Sequence, residues 1–213
     1  MIVGAAAVAL VIVAGLNGPL ALCAVSLALL NGTILNVFGV FNPEFMWFGS
    51  PWLLGALLVL LVLQFCADLY FVPITVQDRR YLHPRRTENA YIHARAQSLL
   101  RPLCAALVAA VLLPEMDWIA TVLGFCGGAA IYWFWAWVRE FVARTRGTVL
   151  LLALETAKNI LLVPLTALAF WWPLVAVVLA VILLVPTAIW TARLQREYQL
   201  YAPDGGRRAG EDA

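Results

Sequence analysis

Apolar residues recur along this chain in runs of about 20, and a run of that length is what a helix needs to cross roughly 30 Å of hydrocarbon. Short clusters of Pro, Gly, Asn and acidic residues separate the runs. The stretch 53–63 is apolar on every side, whereas the strands of a membrane barrel alternate apolar with polar positions. Only helices and closed barrels satisfy their own backbone polar groups in lipid, so the pattern predicts helices. Five spans read clearly, at 52–76, 97–113, 118–138, 148–170 and 173–192. Turn chemistry punctuates them: Asn42-Pro43-Glu44 and Gly49-Ser50-Pro51 before the first, Pro114-Glu115-Met116-Asp117 before the third, and Pro173 after the pair Trp171 and Trp172.

Residues 2–38 are too long for one span at about 1.5 Å per residue, and Asn17-Gly18-Pro19 interrupts them near the middle. Two spans, the first of them short, is the preferred reading; a broken or re-entrant helix is its rival. The expected fold is therefore an all-α polytopic transmembrane helix bundle of about six or seven spans, with the first helix broken or short. Residues 1–202 read as a single transmembrane helical domain and 203–213 as a disordered, Gly- and charge-rich tail. Residues 2–16 lack a basic leader and the apolar character resumes after Pro19, so no cleaved signal peptide is expected.

Orientation follows from the arginines. Arg79, Arg80, Arg85, Arg86 and Arg95 lie in the segment 77–96, Arg139, Arg144 and Arg146 lie near the next boundary, and Arg193, Arg196, Arg207 and Arg208 lie at the C-terminus. The opposite loops hold Glu44, Glu115 and Asp117 without Lys or Arg. The positive-inside tendency then places the arginine-rich end and the C-terminus in the cytoplasm, with the N-terminus outside. Trp47, Trp52, Trp118, Trp171 and Trp172 form an outer aromatic belt, and Trp137 and Trp190 mark the inner one.

Composition agrees with the pattern. Of 213 residues, 64% are hydrophobic and only 12% charged, which excludes a water-soluble globule. A net charge of +2, scattered over membrane-flanking segments, gives no basis for a nucleic-acid partner. Cys23, Cys66, Cys104 and Cys126 sit in apolar stretches without a CxxC pair and read as soft hydrophobes rather than metal ligands. His83 and His93 read as solvated, and no cofactor, metal site or GxSxG, HExxH or P-loop motif is expected. The expected partners are membrane lipids, a second copy of the chain, or a larger membrane complex.

Charges inside hydrocarbon are expensive and mark a pathway, a pair or a site. Asp68, Glu155 and Lys158 are the three read here, and their places in the spans put them in one layer of the membrane. Lys158 is the only lysine in the chain. Glu155 and Lys158 are three apart on one helical face, Asn159 extends the patch, and Gln64 lies one turn from Asp68. If the helices are neighbours, Lys158 bridges both carboxylates and leaves one carboxylate in excess, which suits a proton, a cation or a headgroup amine. An ion pair that merely fixes helix packing is the structural alternative. Gly124, Gly127 and Gly128 read as a close-packing face, and Arg79, Arg80, Arg85 and Arg86 as a weak headgroup-binding set.

The order of features resembles an uncharacterised bacterial integral-membrane family, domain of unknown function four-one-two-six, which implies a bacterial inner membrane as the location. The likeness runs through Gly15-Leu16-Asn17, Ser50-Pro51-Trp52, Ala67-Asp68, Pro73, Asp78, Ile92-His93, Arg101-Pro102, Gly127-Gly128 and Glu155. Gln64 and Tyr70 depart from it, standing where the family resembles Glu and Lys, and the resemblance implies no established activity. Asp68, Asp78 and Pro84-Arg85-Arg86 are also similar, more distantly, to the aspartate-rich site of intramembrane prenyltransferases, which needs clustered carboxylates to hold Mg²⁺. The functional expectation is a small transporter or channel for a cation, a proton-linked solute or a lipid. An accessory subunit of a membrane complex and a lipid-modifying enzyme are the alternatives.

Overall fold

Helices form wherever the apolar runs predict them, in a computed structural model that describes residues 2–34, 43–76 and 84–201. Seven α-helices follow in order among the described residues: α1 (Ile2–Leu16), α2 (Gly18–Leu30), α3 (Pro51–Val76), α4 (Pro84–Leu112), α5 (Asp117–Arg146), α6 (Thr148–Trp171) and α7 (Pro173–Tyr201). Short 3₁₀ turns at Pro43–Gly49 and Pro114–Met116 join two of the connections. α3 to α7 each contain an apolar segment of 21 to 26 residues, long enough to cross a bilayer, so the chain is a multi-span helical membrane protein.

Helix ends outrun the spans expected from hydropathy. α4 starts at Pro84 rather than 97, and α5 runs on to Arg146 rather than 138. Hydropathy marks where hydrocarbon ends, whereas a helix continues into the polar interface for as long as its backbone bonds hold. Residues 84–96, expected in a loop, are therefore helical. The arginines Arg79 and Arg80 and the tail at 203–213 lie outside the described residues. Of Arg85 and Arg86 only the backbone, in the first turn of α4, is described.

Successive long helices alternate in direction. One end of the bundle gathers Pro43–Gly49, Pro114–Met116 and the Trp172–Pro173 junction, together with the exposed Trp47, Trp52, Trp118, Trp171 and Trp172. The other end holds the start of α4 and the α5–α6 junction at Gly147, where φ is +83°. An L side chain is strained at that φ, so glycine allows two spans to follow one another through a single residue.

The segment before α3 breaks at Asn17. At 15 and 13 residues, α1 and α2 are about 22 and 20 Å long, and neither crosses the hydrocarbon alone. Their neighbours give their directions. Val11 faces Gly127, and Gly15 faces Gly128 and Ile131, so α1 descends from the tryptophan end alongside α5. Gly18 faces Arg101 and Cys104, Ser26 Oγ donates to the Phe48 carbonyl at 2.7 Å, and Gly49 touches Leu29, so α2 climbs back to the same end. The two-span reading of this region therefore gives way to its rival, a re-entrant pair whose tip is Asn17. Asn17 is extended (φ −154°, ψ 94°) and caps α2 by accepting from the Leu20 amide at 3.2 Å.

The small residues make this packing close. A methyl on Gly124 would meet the Ala105 carbonyl oxygen and Ala109 Cβ at 2.6 Å, and one on Gly128 would meet Ala105 Cβ at 2.5 Å. Gly124 and Gly128 thus let α4 and α5 approach within the bundle, as small residues do in membranes. Gly127, on the neighbouring face, does the same for α1.

Candidate functional site

α4 carries Arg101 to the middle of the bundle, where its side chain is 0% exposed. A guanidinium cannot lose its proton, so one buried this completely must find acceptors. Arg101 Nη2 donates to Asp68 Oδ2 on α3 at 2.8 Å, and Nε donates to Gln97 Oε1 one turn back at 3.0 Å. Its guanidinium carbon lies 5.6 Å from the centre of the Tyr132 ring. The second Asp68 oxygen meets His93 Nε2 at 3.2 Å. Pro102, next in the helix, has no amide hydrogen and leaves the Ser98 carbonyl without its usual helical donor.

A second cluster lies where α5 meets α6. Glu155, 1% exposed, accepts from the Trp135 indole at 2.7 Å through Oε1 and from Lys158 Nζ through Oε2. Arg139 Nε stands 3.8 Å from Oε1, and Lys158 lies over the Trp135 ring at 5.3 Å. Tyr132 joins the two clusters: Arg101 and Arg139 both lie against its ring, at 5.6 and 5.9 Å, and its hydroxyl donates to the Ala94 carbonyl at 2.8 Å. At the tip of the re-entrant pair, Asn17 Nδ2 donates to Asn159 Oδ1 at 3.2 Å, tying the break in the chain to α6.

The expected residues Asp68, Glu155, Lys158, Asn159 and Gln64 are all buried, but their pairing differs from the one expected. Lys158 serves Glu155 on its own helix, and Asp68 is taken by Arg101, so Lys158 does not bridge the two carboxylates. The reason is steric and local. An i, i+3 partner is already in reach of Lys158, whereas Arg101 faces Asp68 across the α3–α4 contact. The charge balance changes sign as a result. Two carboxylates, Asp68 and Glu155, meet two guanidiniums, Arg101 and Arg139, and the amine of Lys158, so cationic groups outnumber the carboxylates among these contacts.

His93, expected to be solvated, is 16% exposed at its side chain and bound to Asp68. Arg101, Arg139, Trp135 and Asn17 are the residues that sequence reasoning missed as site members. With α4 taken to start at 97, Arg101 falls one turn from the interface; with the true start at Pro84, it lies at mid-span.

Three buried side-chain nitrogens have no hydrogen-bond partner among the described residues: Gln64 Nε2, Arg101 Nη1 and Asn159 Nδ2. All three are donors. Two grooves in the apolar surface reach this layer. One, of about 110 Å³, runs between α1, α5, α6 and α7 to Trp135 and Lys158. The other, of about 310 Å³, lies between α2, α3 and α6, with Leu61, Val62, Phe65 and Val163 on its walls and Asn17 and Asn159 at its polar end. Compared with known proteins, the chain matches no family model, no curated protein and no solved structure.

Proposed function

We propose that the protein is a small membrane carrier for a lipid or lipid-like solute, with its substrate site in the buried charged layer at the tip of the α1–α2 pair. One observation carries this reading: grooves lined almost wholly by apolar residues lead from the side of the bundle to the buried polar residues Trp135, Lys158, Asn17 and Asn159. A substrate with an apolar chain can enter along such a groove while its polar end reaches the layer. Irregular backbone at mid-membrane is tolerated where it is buried in protein or lines a cavity, and broken helices of this kind hold substrates in transporters. In this reading the arginine-rich end faces the cytoplasm of a bacterium, as the positive-inside tendency expects.

The accessory-subunit alternative called for an exposed seam of small residues. Gly124, Gly127 and Gly128 are spent on contacts inside the bundle, which favours the carrier. The test is translocation of fluorescent lipids with acidic, neutral and amine headgroups in proteoliposomes, read by an impermeant quencher. Faster loss of inner-leaflet fluorescence than in protein-free vesicles, abolished by Trp135→Leu, supports the reading. Equal rates with and without protein for every headgroup overturn it.

A further inference from the structure

The three partnerless donors sit on α3, α4 and α6, which α2 links at the level of Asn17. Asn17 holds Asn159 through its side chain, and the next residue, Gly18, lies against the backbone of Arg101. Arg101 reaches across to Asp68, which stands one turn from Gln64 on α3. Leu61 and Phe65, beside Gln64 in the same helix, wall the groove that ends at Asn17 and Asn159. The groove is walled by α2, α3 and α6 with Asn17 and Asn159 at its polar end, and Gln64 and Arg101 stand on the adjoining turns of α3 and α4 rather than in its wall. Gln64 is 6% and Asn159 8% exposed, too deep for bulk water to serve them.

We infer that this groove binds an amphiphile with an anionic headgroup, a carboxylate or a phosphate, whose oxygens accept from Asn159, Gln64 and Arg101 while its chain lies along Leu61, Val62, Phe65 and Val163. Burying a donor without an acceptor is unfavourable, and here three are buried within one layer. That layer also carries more basic side chains, Arg101, Arg139 and Lys158, than carboxylates, so an acceptor bearing negative charge suits both the unpaired donors and the surplus basic group. An amine headgroup suits neither. The first turn of α2 points its positive end at the same place, with Pro19 contributing no donor and Leu20 already held by Asn17. The inference rests on the carrier reading for its biological sense but not for its chemistry.

The experiment offers the full-length protein in detergent four amphiphiles of one chain length, a fatty acid, an alkyl phosphate, a fatty alcohol and an alkylamine, and counts bound ligand by native mass spectrometry. The acid or the phosphate is expected to bind roughly tenfold more tightly than the alcohol, as loss of a charge-assisted hydrogen bond implies. Which of the two binds better identifies the source as a free acid or a phosphorylated lipid. Asn159→Leu and Gln64→Leu should each erase most of the preference. Val62→Trp, at a lipid-facing position on the groove wall, should block all four without touching the polar layer. Equal retention of acid, alcohol and amine, or unchanged binding in Val62→Trp, overturns the inference. Acid-selective binding without lipid translocation defeats the carrier reading alone, and translocation without headgroup preference defeats this inference alone.

Discussion

Cutting one side of the Asp68–Arg101 contact should reveal how these charges are partnered. Arg101→Met leaves Asp68, 1% exposed, with His93 as its remaining hydrogen-bond partner; Asp68→Asn keeps an acceptor oxygen but removes the counter-charge from the fully buried guanidinium, which retains Gln97 and Tyr132. Breaking a buried pair in a soluble protein costs about 3–5 kcal/mol. In membranes the unfolded helices find other partners, and measured couplings reach only about 1.7 kcal/mol. The absence of solvent argues for the upper part of the membrane range, and His93 as a second partner argues for less than the soluble value. A coupling of about 1–2 kcal/mol is therefore expected between Arg101→Met and Asp68→Asn. Denaturant titration of the two single variants and the double variant in mixed micelles measures it. The cycle pairing Lys158→Met with Asp68→Asn should give a smaller value, because Lys158 is held by Glu155. Additivity within about 0.5 kcal/mol in the Arg101 cycle, or a larger coupling in the Lys158 cycle, would refute the partnering described.

Three further outcomes are expected. Trp135→Phe removes the indole donor to Glu155 and should lower stability by about 1.5–3 kcal/mol in the same titration, as for other hydrogen bonds to charged groups; no loss would show that the bond contributes nothing. Gly128→Val should drive α4 from α5 and cost about 1–3 kcal/mol, whereas Gly55→Val, where an added Cβ meets nothing within 4 Å, should change the melting temperature little. Asn17→Ala loses the α2 cap and the Asn159 contact, so about 1 kcal/mol or more of stability should go, and protease access to the α1–α2 tip should rise.

The bundle was legible because hydrocarbon leaves so few solutions: apolar runs of span length must be helices, and Pro51, Pro114 and Pro173 mark the turns between them. The break at Asn17 was equally plain, but its direction was not. A through-going and a returning helix share one hydropathy profile, and only packing against Gly127 and Arg101 separates them. Burial of Asp68, Glu155 and Lys158 was readable from depth along the helices. Their partners were not, since helix periodicity gives i, i+3 neighbours such as Glu155 and Lys158 and says nothing of which helix stands alongside. Arg101 escaped because arginines are expected at interfaces, and the polar first half of α4 concealed where that interface falls.

A carrier must expose its central layer to each side of the membrane in turn, whereas a packing layer never does. With Cys23, Cys66, Cys104 and Cys126 replaced by alanine, a single Gln64→Cys probe in proteoliposomes reports this directly through a membrane-impermeant thiol reagent. Labelling is expected when the reagent is supplied outside, and again when it is trapped inside, with both rates slowed by the anionic amphiphile that binds. No labelling from either side, in protein whose melting temperature is unchanged, would contradict the account and leave the charged layer as a device of packing alone.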